Sequence, residues 1–142
     1  MARARIDDEL GRAALEVVQR VTPGGADAAA SVDRTTLALA VRYSLQLLAE
    51  HAPGGTVEVR VPPYGAVQCI EGPKHTRGTP PNVVETDAST WLALAIGTLS
   101  WADARVAGRV HASGQRADLA AVLPVLGSST PGTSGGADTI TP

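Results

Sequence analysis

A chain of 142 residues that is 44% apolar and 18% charged can bury about two-thirds of its unfolded surface as one domain. Its net charge of −2 argues against a general nucleic-acid binder, which needs a basic excess to neutralise phosphates. One cysteine excludes an internal disulfide and a multi-thiolate metal site, and no apolar run approaches the roughly 20 residues that span a bilayer. The opening "MARARIDDELGRAALEVVQR" lacks the apolar core of a secretion signal, so the cytoplasm is the expected compartment. Phe is absent, and two Trp and two Tyr supply all the aromatic surface, so the core must be closely packed from small side chains or enclose a cavity.

Ile6, Leu10, Ala14, Val17 and Val21 recur at helical spacing and predict an amphipathic helix over 6–21 with that stripe buried. After the linker "TPGGADAAASVD", Asp33 is a cap for a second helix, 33–51, whose buried row is Leu37, Val41, Leu45 and Leu48. From Thr56 the period becomes two. Val57, Val59 and Val61 alternate with Glu58 and Arg60 as in a strand with one wet face, and "AVQCIE" is its antiparallel neighbour across the turn Pro62–Gly65. A loop with three prolines and the basic residues Lys74, His75 and Arg77 leads to a third strand, "NVVETD". Asp87 caps the helix "ASTWLALAI", which Gly97 ends, and Ser100 caps the short helix "WADARVA". "RVHAS" reads as another strand and "RADLAAVL" as a last short helix stopped by Pro124. The stretch 127–142 is Gly/Ser/Thr/Pro-rich and predicts a disordered tail, which leaves 1–126 as one α+β domain.

Over 84–125 the chain resembles the C-terminal half of the sterol carrier protein 2 family, through Asp87, Trp91, Leu92, Leu94, Gly97, Leu99, Ala104, Gly108, Val110, Gly114, Leu119 and Leu123. It is most similar to the small actinobacterial proteins of that family, in which the loop "HTRGTPPNV" is typical. The resemblance implies an SCP2-like α+β fold: a mainly antiparallel sheet of the five-stranded type, covered on one face by helices. It also implies a non-enzymatic carrier without a cofactor, holding a sterol, fatty acyl or acyl-CoA type ligand in an apolar cavity. The residues it nominates for the cavity wall are Trp91, Leu92, Ala95, Ile96, Leu99, Val110, Leu119 and Leu123. The other reading is a structural or regulatory protein–protein interaction module on the same scaffold, with a homodimer or a protein partner.

Several constellations carry alternative chemistry. Lys74, His75 and Arg77 form either an anion site for a ligand head group or a solvated basic loop stiffened by proline. Cys69 lies in a strand-like run, where a buried inert thiol is expected rather than a nucleophile. His51, His75 and His111 lack metal-ligand spacing. Glu85 and Asp87 could act as paired carboxylates, although capping by Asp87 accounts for it without chemistry. Trp91 and Trp101 are either pocket walls or core anchors.

Overall fold

The computed structural model describes residues 4–21, 32–72 and 82–126. Its elements are α1 (Asp8–Val21), α2 (Arg34–His51), β1 (Val57–Val61), β2 (Gly65–Cys69), β3 (Asn82–Thr86), α3 (Ala88–Ile96), α4 (Trp101–Val106) and β4 (Val110–Ser113). The basic residues Lys74, His75 and Arg77, the linker 22–31 and the tail 127–142 fall outside the described residues.

Local chemistry sets most boundaries. Asp33, Asp87 and Ser100 accept hydrogen bonds from the backbone N–H groups of Thr36, Thr90 and Asp103, which closes the open starts of α2, α3 and α4. Gly97 ends α3 at φ 101°, a left-handed conformation that suits glycine. Val57, Val59 and Val61 are buried and alternate with half-buried Glu58 and Arg60, so the β1 pattern behaves as its period predicts.

The strand order is β2-β1-β3-β4, with β1–β2 and β3–β4 antiparallel and β1–β3 parallel. The sheet is thus mixed and mainly antiparallel, but it has four strands among the described residues rather than five. Cys69 pairs with Val57 on one side of β1 and Asn82 pairs with Val57 on the other. Cys69 and Asn82, which the connection joins, therefore lie on opposite sides of β1, roughly 10 Å apart at sheet spacing. Asn82 anchors its far end: its side-chain amide donates to Thr56 O at 2.9 Å, and its Oδ1 accepts from Arg116 N at 2.9 Å.

The core lies between the helices and the inner sheet face, and all four expected α2 residues are buried in it. Two expectations fail here. Helix α1 buries Gly11, Ala14, Leu15 and Val18; of the expected stripe Ala14 is buried and Ile6 and Val17 are half-buried against the core, but Leu10 and Val21 are 54% and 42% exposed. A Cβ at Gly11 would clash with three carbons of the Tyr43 ring, so α1 can approach α2 only with its glycine against that ring, and this turns the helix. The predicted helix at 116–123 is instead a chain of turns. Asp118 Oδ1 accepts from Ala120 N at 2.8 Å, and the buried residues Ala117, Leu119 and Val125 do not follow a 3.6-residue period.

Candidate functional site

Helix α2 presents Arg42, Leu45, Gln46 and Ala49 along one side, at helical spacing. Facing them are Gly65, Ala66 and Val67 of β2, and the arm Ala4–Ile6 closes the far side. Together they enclose a groove of about 480 Å³ whose lining is mostly apolar.

The arm is fixed by paired bonds. Ile6 N donates to Gln46 Oε1 at 2.8 Å and Gln46 Nε2 returns a bond to Ile6 O at 3.0 Å, so the glutamine amide pairs with the backbone as a neighbouring strand would. Arg5 grips Glu50 with Nε at 2.6 Å and Nη2 at 2.9 Å, and Nη2 also meets Asp8 Oδ1 at 3.1 Å. This fork raises the Arg5 pKa further above its ordinary value and holds the Glu50 carboxyl below the usual range. Asp8 is lowered first by the hydrogen bond from Tyr43 Oη at 2.7 Å and then by Arg5.

Arg42 is half-buried in the groove, with Nε donating to Tyr64 O at 2.9 Å. Its two Nη groups have no acceptor among the described residues. A planar guanidinium anchored through Nε leaves two parallel donors, the geometry that takes a carboxylate or phosphate.

The residues nominated from sequence are distributed differently. Trp91, Leu92, Ala95 and Leu119 are fully buried in the core, and Trp91 Nε1 donates to Ser44 Oγ at 2.8 Å. That bond makes Trp91 a core anchor tying α3 to α2. Leu99 and Leu123 line a cleft of about 340 Å³ with Leu94, Trp101 and Pro124. Val110 borders a polar hollow of about 750 Å³ on the outer sheet face, beside Arg60, Glu85, Arg105 and His111. Ile96 is half-buried, packed against the core. Sequence reasoning missed Arg42 and the arm; the row Arg42, Leu45, Ala49 on one helix face was the available signal.

Burial pushes the Cys69 thiol up to about 11, which keeps it protonated at neutral pH. Among the described residues no group of three or more His, Cys, Asp or Glu converges as metal ligands. No helix among them is long and apolar enough to cross a membrane.

Residues 33–125 match the family described as bacterial SCP ortholog, SCP denoting sterol carrier protein. The chain belongs to this sterol carrier family. The matched span begins at Asp33, the cap of α2, and ends at the buried Val125, so the sheet and α2–α4 are family scaffold while α1 precedes it. In general the sterol carrier family is one of non-enzymatic, lipid-binding carriers. No curated protein matches the chain.

Proposed function

We propose that this sterol carrier family member binds and carries one amphipathic, lipid-like molecule without transforming it. The apolar part occupies the groove between α2 and β2, and an anionic head lies against Arg42. The observation that carries this reading is an apolar groove ending on an anchored guanidinium whose two remaining donors are uncommitted among the described residues. A volume of about 480 Å³ lies within the roughly 300–1,000 Å³ typical of small-molecule sites. Among sterol, fatty acyl and acyl-CoA types, Arg42 favours those with a carboxylate or phosphate over a sterol hydroxyl. Lys74, His75 and Arg77 would supply further positive charge if they reach the head group. The cytoplasm suits a chain with a single, buried thiol.

Titration with a fluorescent long-chain fatty acid tests the proposal. Ala49→Trp, which fills the groove from α2, should abolish saturable uptake with the urea midpoint unchanged. Arg42→Gln should weaken it about ten- to hundredfold, the worth of a charge-assisted hydrogen bond. Uptake unaffected by both variants would refute the site. A protein-interaction role is favoured by a separate observation, the apolar stripe that α1 leaves exposed, and does not compete for the groove.

A further inference from the structure

Helix α1 carries two apolar faces. One, through Gly11, Ala14, Leu15 and Val18, is buried in the protein. The other runs through Leu10, Ala13, Val17 and Val21 in steps of three, four and four residues; Leu10, Ala13 and Val21 are exposed and Val17 is half-buried. Those steps make the narrow seam by which one helix packs along another. Isolated surface leucines are common, but a continuous row along about three turns is an interaction surface.

We infer that this stripe is the two-fold interface between two copies of this chain, α1 packed antiparallel on α1. Three features of the helix select that occupant. With the two-fold axis near the helix centre, Leu10 of one copy meets Val21 of the other and Ala13 and Val17 lie near the middle, so the row is complementary to itself. Glu9 and Arg20 sit on the same flank of the row, at opposite ends of the helix. Antiparallel packing sets this flank against itself and places Glu9 of each copy beside Arg20 of the other, whereas parallel packing would set it against the opposite flank and leave both charges unpaired. Arg20 has only a 3.9 Å contact to Glu16 within its own helix, with both side chains more than 70% exposed, so it is available to the second copy. A bilayer surface is the poorer occupant. α1 holds three acids, Asp8, Glu9 and Glu16, against Arg12 and Arg20, whereas surface-lying helices are rich in Lys and Arg.

The contact is one helix face about 21 Å long, in the class of small, reversible interfaces. Sedimentation velocity across a concentration series of the full chain should show a monomer–dimer equilibrium. Leu10→Arg, at an exposed position, should leave a monomer with an unchanged urea midpoint. Glu9→Arg alone and Arg20→Glu alone should each weaken the dimer about three- to tenfold, and the double swap should restore it. A wild-type monomer throughout the series, or a dimer indifferent to Leu10→Arg and to the charge swaps, would overturn the inference. So would a wild-type monomer that binds phosphatidylserine vesicles through Leu10, since the stripe would then serve a membrane.

Discussion

Gly11 owes its place to the Tyr43 ring, which occupies the space a side chain would need. In an isolated helix, Gly→Ala would gain about 1 kcal/mol. Here overpacking should outweigh that gain, because the ring is fully buried and cannot swing away without losing the Tyr43 bond to Asp8. Gly11→Ala is expected to destabilise the protein by about 1–3 kcal/mol, read as a lower urea midpoint. A raised midpoint would mean that α1 does not pack on α2 in this way. The same pair shows what was hidden in the sequence. The apolar period of α1 was legible, but both apolar faces satisfy it, and only the ring across the interface selects the face with the glycine. Trp91 was ambiguous for a related reason: an indole can line a pocket or fill a core, and its bond to Ser44, 47 positions away, decides for the core.

At the scale of elements, starts and stops were legible wherever a side chain closes its own backbone. Asp87 accepts from Thr90 N at 3.2 Å and from Thr90 Oγ1 at 2.7 Å, fixing the first turn of α3. Asp87→Ala should therefore cost about 1 kcal/mol, whereas Asp87→Asn or Asp87→Ser should cost less; equal losses in chemical denaturation for all three would assign Asp87 another role. The segment 116–123 defeated the same logic. Its composition is helical, yet Asp118 bonds forward to Ala120 N, while Val122 N and Leu123 N both bond back to Leu119 O. Burial of Leu119 and Val125 against the core then favours turns over a continued helix. The parallel β1–β3 pairing was equally invisible, since alternation identifies a strand but not its neighbour. The groove spans three elements, and only its α2 row could be read in one stretch of sequence.

Across the whole molecule, the titrating groups predict a stability plateau with two limbs. Tyr43 and Arg5 lower Asp8, Arg5 lowers Glu50, and Thr36 lowers Asp33. Lowered folded values contribute stability above the unfolded carboxylate range near pH 4, and this is lost as pH falls through the folded values. Cys69 is raised to about 11 by burial; Tyr43 is raised by burial and by its bond to Asp8. Their contributions are complete below the unfolded values, about 8.5 and 10, and are lost as pH rises through the folded ones. The urea midpoint should accordingly be flat between about pH 5 and 8 and fall on both sides. Tyr43→Phe should soften both limbs, and a midpoint indifferent to acid would contradict the Arg5–Asp8–Glu50 network.

The sterol carrier scaffold, the burial of Trp91, Leu92, Ala95 and Leu119 in the core and the groove at Arg42 combine into one claim, that a lipid-like ligand is held outside the core between α2 and β2. Native mass spectrometry of the full chain and of Ala49→Trp, each purified without added lipid and then offered palmitic acid, tests it most directly. The account predicts one bound acyl-class molecule per wild-type chain and none on Ala49→Trp. Wild-type protein that stays bare, or a variant that loads equally well, would contradict it.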